Sequence, residues 1–435
     1  MKFGGGWEGS GLSSEWKNTS FEESIEINPP YSLKRGWQSK KIAMSNLTPF
    51  LRRPNYEIAR FKGGSKFKNG DTLVARITPC LENGKTCYVD ILSHDEVGFG
   101  STEFIVLRGK PGITDNKYVY YLATWPEFRS MAIKSMTGTS GRQRVQIDAL
   151  AKWHFRIPKI SEQKEIATLL SNLDDKIELN HAINKNLETM AQALFKRWFV
   201  DFEFPNENGR PYKSSGGAIE ESALGLIPKG WHVGTVGEVV KVVGGSTPST
   251  AKSEFWGGAI HWVTPKDLSR LNSPILMITE RKITESGLAQ ISSGLLPKDT
   301  LLMSSRAPIG YLAISKVPIA INQGFIAMVC HSEISNVFMF FWTKQNMEDI
   351  KGRANGTTFG EISKTNFRPI PILIPKSEIL KAFNYLTEPF FDKITNNDQE
   401  SQTLALLRDT LLPKLMSGEI RVPVEQVYEE VHTGL

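Results

Sequence analysis

Apolar residues recur at steps of three and four along residues 161–199 and again along 377–416. In the first stretch Ile166, Leu170, Leu173, Ile177, Asn180, Asn184, Leu187, Ala191, Leu194 and Trp198 share one stripe, the spacing of a coiled-coil seam. The pattern predicts two long helices, each preceded by Ile-Pro-Lys, at 157–159 and 374–376. A shift of about 217 residues lays one on the other, far longer than any solenoid unit. Under it Ile166 meets Phe383, Leu173 meets Phe390, Ile177 meets Ile394 and Asn180 meets Asn397. Farther along, Leu187 meets Leu404, Leu194 meets Leu411 and Trp198 meets Leu415. Two helices with one pattern in one chain are most economically packed against each other; the alternative is that each packs only on its own globular block. A buried Asn facing its partner costs stability but fixes register. Pro389 and Pro413 interrupt the second copy, so that helix is expected to kink or break there.

The intervening blocks repeat more loosely. Asp71-Thr72-Leu73-Val74-Ala75-Arg76 resembles Asp299-Thr300-Leu301-Leu302-Met303 with Arg306 following, and Gly138-Thr139-Ser140 matches Gly356-Thr357-Thr358. Short β-rich runs at 103–107, 311–315 and 325–330 are bounded by Gly and Pro, and short helices are expected at 117–125 and 337–347. The fold class expected is mixed α/β (α+β). Two similar globular domains are separated by two long antiparallel coiled-coil-like helices in a pseudo-two-fold internal repeat. The expected boundaries are 1–160 for the first domain, 161–203 for a central spacer helix and 204–225 for a linker. A second domain follows at 226–375, then a C-terminal spacer helix at 376–420 and a tail at 421–435.

Charge adds a partner class. Lys and Arg outnumber Asp and Glu by 9 over residues 1–160 and by 5 over 226–375, whereas 161–225 and 376–435 each carry −4. Basic domains suit a polyanion, because neutralising phosphates releases counterions; ordinary solvated surface is the alternative reading. Cys80, Cys87 and Cys330 form no CxxC pair and no disulfide framework, which favours a reducing, cytoplasmic setting. No apolar run is long enough to span a bilayer, so no membrane partner is expected.

Several motifs, taken in order, resemble the specificity subunits of type I restriction–modification systems. Leu194-Phe195-Lys196-Arg197-Trp198-Phe199-Val200-Asp201-Phe202 resembles the end of that family's central spacer, and Leu224-Gly225-Leu226-Ile227-Pro228-Lys229-Gly230-Trp231 the entry to its second recognition domain. Gly244-Gly245-Ser246-Thr247-Pro248-Ser249 and Trp262-Val263-Thr264-Pro265-Lys266-Asp267-Leu268 continue the likeness. Arg408-Asp409-Thr410-Leu411-Leu412-Pro413-Lys414-Leu415-Met416-Ser417-Gly418 is similar to its C-terminal signature. The resemblance implies a non-catalytic chain whose two recognition domains each read half of a bipartite site in double-stranded DNA. It implies spacer helices that dock two modification (methyltransferase) subunits, with separate motor-nuclease restriction subunits. This chain itself would bind no cofactor; S-adenosylmethionine, ATP and Mg would belong to the partners. A helix of roughly 38 residues spans about 57 Å, against about 34 Å for one turn of DNA, so such helices suit two separated half-sites. Three alternatives stay open: a specificity-type subunit of another restriction architecture, a stand-alone adenine methyltransferase, and a structural or signalling coiled-coil protein, which would leave the two basic blocks without a purpose.

The methyltransferase alternative rests on Asn28-Pro29-Pro30-Tyr31, which has the form of an adenine amino-methyltransferase catalytic loop. The nearest cofactor loop, Phe3-Gly4-Gly5-Gly6-Trp7, lacks a third required glycine and room for a preceding strand. Glu15-Trp16-Lys17 has no upstream Pro-Asp to complete a nuclease site, no phosphate loop is present, and the histidines show no metal spacing. For DNA readout, Arg, Lys, Asn and Gln are needed against base edges. In the first domain the candidates are Gly138, Thr139, Ser140, Arg142, Gln143 and Arg144, together with Arg76. Lys34, Arg35, Lys40, Lys41, Arg52 and Arg53 form a second basic stretch suited to phosphate. In the second domain the candidates are Thr247, Lys266, Arg306, Arg353, Asn355, Gly356, Thr357 and Thr358.

Overall fold

The computed structural model describes residues 16–139, 141–330, 334–355 and 360–423. It divides into two compact units, Met1–Lys176 with Thr403–Leu435, and Ile177–Gln402.

In the first unit an antiparallel pair, Lys17–Ser20 with His154–Ile157, brackets the globular block. A four-stranded antiparallel sheet follows in spatial order Ile25–Ile27, Phe104–Gly109, Thr72–Ala75, Thr86–Tyr88. Every residue of Thr72–Ala75 is buried, as a central strand covered on both faces requires. The helix Asn116–Thr124, capped by the Asp115 carboxylate, lays Tyr118–Ala123 into the core. A second sheet orders Glu57–Arg60, Gln38–Ile42, Gly98–Gly100, Lys66–Phe67, its middle pair parallel.

The second unit repeats this plan. His232–Thr235 pairs with Pro371–Ile374. One sheet runs Val240–Gly244, Phe325–Cys330, Leu301–Ser304, Leu312–Ser315, Ile275–Leu276, and another Arg281–Ile283, Trp256–Val263, Ile319–Ile321 with its last pair parallel. Even the local caps recur. Glu23 accepts from the Ser20 N–H and Glu238 from the Thr235 N–H, each closing a capping box on a one-turn helix. The expected mixed α/β fold, written twice, is the fold observed.

The two long helices are Ile160–Phe195, continued by a π-helical turn at Lys196–Val200, and Ser377–Ser417. Within each unit they pair antiparallel. In the first, Arg421 binds Glu162 while Arg408 binds Asp174. In the second, Asn180 donates to Glu400 and Ser401, Asn184 to Asp398, and Asn397 to Asn184. Ile166 and Leu415 lie in the first unit's core with Leu411 against it, and Leu173 is half-buried. Trp198, Phe383 and Ile394 lie in the second unit's core, with Leu187, Leu194 and Phe390 packed on it. Ile177, Asn180 and Asn397 are buried and Leu404 is half-buried.

The break expected in the last helix does not occur. The last helix runs without a break through Pro389 and Pro413. Proline removes only its own N–H bond and crowds the carbonyl one turn back. Here that carbonyl belongs to exposed Tyr385 or Asp409, while buried Phe391, Leu412 and Leu415 hold the helix on the core side. Packing wins.

The seam carries different chemistry in the two units. Asp174 accepts from Arg408 at 2.6 Å and from the Tyr121 hydroxyl at 2.7 Å, with its side chain 3% exposed. The repeat-equivalent positions in the second unit are Phe391 and Ala191, both in its apolar core. Arg408→Ala should therefore strand a buried carboxylate and cost about 3–5 kcal/mol. Adding Asp174→Leu to that variant should recover at least half the loss. Denaturant midpoints of the two variants check this.

Candidate nucleic-acid interface

In the first unit the chain leaves the central strand at Arg76 and turns through Ile77, Thr78 and Pro79. A hairpin over residues 137–144 docks on this turn. Its neck is closed by the Thr137 N–H to the Arg144 carbonyl at 3.1 Å and the reverse bond at 2.9 Å. The dock is made by the Thr78 N–H to the Gln143 carbonyl, the Gln143 N–H to the Thr78 hydroxyl, and the Val145 N–H to the Arg76 carbonyl. Gly138 and Gly141 take positive φ, 128° and 77°, which the reversal needs. The structure thus brings Arg76, Gly138, Thr139, Arg142, Gln143 and Arg144 together; Ser140 lies outside the described residues. Arg142 and Thr139 are exposed and Gln143 is half-buried. Arg144 instead grips Glu103 through Nη2 at 2.7 Å and Nε at 3.0 Å, and those hydrogen bonds hold the Glu103 carboxyl below its usual range.

The second unit repeats the neck and one of the docking bonds. The Asn355 and Glu361 N–H groups each donate to the other's carbonyl at 2.9 Å, and the Ile362 N–H donates to the Ser305 carbonyl. Arg306 Nη1 lies 3.4 Å from Glu361. Asn355 is exposed at this antiparallel bridge; Gly356, Thr357 and Thr358 lie outside the described residues. Arg353 is paired with Asp349 at 2.9 Å. Elsewhere Thr247 hydrogen-bonds Gln323, and Lys266 pairs with Glu280 at 3.0 Å.

The basic N-terminal stretch divides in two. Lys34 and Arg35 are exposed, with Lys34 Nζ 5.9 Å from the Trp37 ring. The others are tied to carboxylates: Lys40 to Glu96, Lys41 to Glu57, Arg53 to Asp90, and buried Arg52 to Asp175. Burial alone would raise the Glu96 carboxyl. The Ser93 and Lys40 N–H groups, the Ser39 hydroxyl and the Lys40 ammonium outweigh it and hold the carboxyl down at about 2.

A sequence model described as the type I restriction modification DNA specificity domain matches this chain twice, over residues 13–189 and 228–404. The chain belongs to that family. It is 26% identical over 410 residues to the type I restriction enzyme HindI specificity subunit of Haemophilus influenzae, covering 81% of this chain and 87% of the relative. It is 36% identical over 188 residues to the MjaIX specificity subunit of Methanocaldococcus jannaschii, covering 43% and 44%. Among solved structures, the S subunit of a type I restriction–modification system from M. genitalium matches at a TM-score of 0.56 and 17% identity, over 93% of this chain and 97% of that one.

In this specificity-family chain Asn28-Pro29-Pro30-Tyr31 has a structural job. Asn28, at φ 54°, donates its N–H to the Val106 carbonyl and accepts the Val106 N–H on its side-chain oxygen. The amide oxygen thereby extends the sheet. Tyr31 donates to Asp71, itself fully buried and held by Arg108. Burial raises the Asp71 carboxyl, and the Arg108 guanidinium and the Lys68 N–H oppose that rise. Among the described residues no group of three His, Cys, Asp or Glu is placed to hold a metal, and no helix is long and apolar enough to cross a membrane.

Sequence reasoning missed the anchoring carboxylates Glu103 and Glu361, the Arg281 guanidinium stacked 3.5 Å over Trp256, and Lys66. The last carried a local signal: Gly63-Gly64-Ser65-Lys66 is a glycine turn opening on a cation. Two outcomes test this division of the cations. Arg52→Ala should lower the melting temperature by several degrees, whereas Arg35→Ala should leave it unchanged and weaken DNA binding. Because the Glu96 carboxyl is depressed, its contribution to stability is present above pH 4.5 and fades as pH falls toward 2. The stability gap between the natural chain and Glu96→Gln should narrow over that window in urea titrations.

Proposed function

We propose that this chain is the non-catalytic DNA-specificity subunit of a cytoplasmic type I restriction–modification complex. Residues 1–160 and 226–375 are the two recognition domains, each reading one half of a bipartite site in double-stranded DNA. The observation that carries this is an antiparallel bridge, Thr137 with Arg144 and Asn355 with Glu361, docked twice on the turn after the central strand with different side chains. Arg142 and Gln143 ride on one copy and Asn355 on the other, residue types that contact base edges. One scaffold with two sets of side chains suits two half-sites of different sequence.

The long helices are the docking sites for two modification subunits, which bring S-adenosylmethionine; restriction subunits bring ATP and Mg chemistry. Repeat-equivalent apolar residues support two like partners. Leu169 and Leu386 are 39% and 42% exposed, and Met190 and Leu407 are 55% and 46% exposed. Each unit therefore shows one residue of each kind. Exposed apolar positions that the repeat preserves fit a partner bound in two copies.

The chain coexpressed with a cognate modification subunit should direct adenine methylation to a bipartite sequence. Exchanging residues 226–375 for those of another family member should change one half-site and leave the other. A methylome in which both halves change, or neither, would defeat the reading. Leu169→Asp and Leu386→Asp should each reduce the modification subunits bound from two to one by native mass spectrometry. Retention of two would remove the helix-docking part.

A further inference from the structure

The Asn28–Ser32 segment walls one side of an open cavity of about 600 Å³ inside the first unit. Gly64, Ser65 and Lys66 form a second wall, and Arg76 with Thr102 a third. Among the described residues no carboxylate lines it, while two cations do. Neither Lys66 nor Arg76 has an ion pair among the described residues. The Arg76 Nε–H is buried and finds no hydrogen-bond partner. That atom is closed to solvent and meets no ligand itself; its unmet donor is a cost of placing the guanidinium on the cavity wall. Glu103, the carboxylate that senses Arg76, is already committed to Arg144.

The internal repeat shows that the fold does not require these cations. The Arg76 N–H donates to the Glu103 carbonyl and its own carbonyl accepts from Val145. In the second unit Ser305 makes both bonds, donating to Gly324 and accepting from Ile362. A serine therefore serves where Arg76 stands, and Arg306 occupies the place of Ile77. Likewise the second unit keeps the pairing but not the charge: Leu296 bridges Ile319 as Phe67 bridges Gly98, and Leu295 stands in the place of Lys66. Both cations are additions to the first domain, and both face the same cavity.

We propose that this cavity seats a phosphodiester of the DNA backbone, with Arg76 and Lys66 as its charge partners and the Asn-Pro-Pro-Tyr segment as its wall. The inference rests on the DNA-reading function above and deepens it. The seat belongs to the first domain alone. It therefore positions one half-site by a backbone contact that the other half-site lacks. It carries no sequence information: phosphate contacts fix register, and bases are read by the neighbouring hairpin.

The test uses the full chain in complex with its modification subunit, bound to duplexes carrying the methylated site, over a range of salt concentrations. Arg76→Gln and Lys66→Gln should each reduce the slope of log affinity against log salt by about 1 in magnitude. The methylated sequence should stay unchanged. In a scan of single neutral methylphosphonate linkages, one linkage in the half-site left unaltered by exchange of 226–375 should weaken the natural complex but not Arg76→Gln. Lys66, half-buried on its short strand, carries the test should Arg76→Gln fail to fold. Unchanged slopes in both variants would overturn the seat while leaving the function standing. A changed base preference in the methylome would also overturn it, since the cavity would then read bases. A natural complex without site-specific binding would remove the functional reading and the seat together.

Discussion

Where the two long helices bury polar groups against each other, a few cross-helix bonds answer them. Apolar stripes alone would tolerate sliding by a turn, because one leucine packs against another with little preference. Asn180, Asn184 and Asn397 do not, since each loses its hydrogen bonds if the helices shift. Asp174 and Arg408 are stricter still, because an unpaired charge in that seam costs far more than a lost methylene. Register within each unit is thus set by a few polar side chains and stabilised by many apolar ones.

From that fixed seam the globular blocks inherit their footing. In each unit a strand pair brackets the block next to a long helix, and a capping box starts the return into the main sheet. The central strand then delivers a turn to the same place, where a bridged segment docks by a shared backbone bond, Val145 to Arg76 and Ile362 to Ser305. Since that bond is independent of side-chain identity, the residues beside it can change without disturbing it. The conserved geometry and the variable chemistry are carried by different atoms.

The helices and the doubled plan were legible because both are periodic: a step of three and four, and a shift that superposes one half on the other. Asn180 and Asn397 stood out as polar residues in an apolar stripe. What could not be read were contacts without local pattern. Arg144 meets Glu103 41 residues away and Arg52 meets Asp175 123 residues away, so free and committed cations look alike in sequence. Matching Asp71-Thr72 with Asp299-Thr300 was off by one position, because strand pairing puts Leu301 in the place of Thr72 and Ser305 in the place of Arg76. The prolines misled for the opposite reason: their local penalty is real, but buried neighbours on either side outweigh it.

The unlike charge chemistry along the seam has a consequence for molecular identity. Were two copies of the central helix to associate in the register observed, Asp174 would face Ala191 of its twin rather than an arginine. Two copies of the last helix would set Arg408 against Phe391. Each like-with-like marriage isolates an ion in hydrocarbon, whereas the mixed one leaves none. The near-symmetric halves therefore carry a chemical lock and key that tells self from sibling.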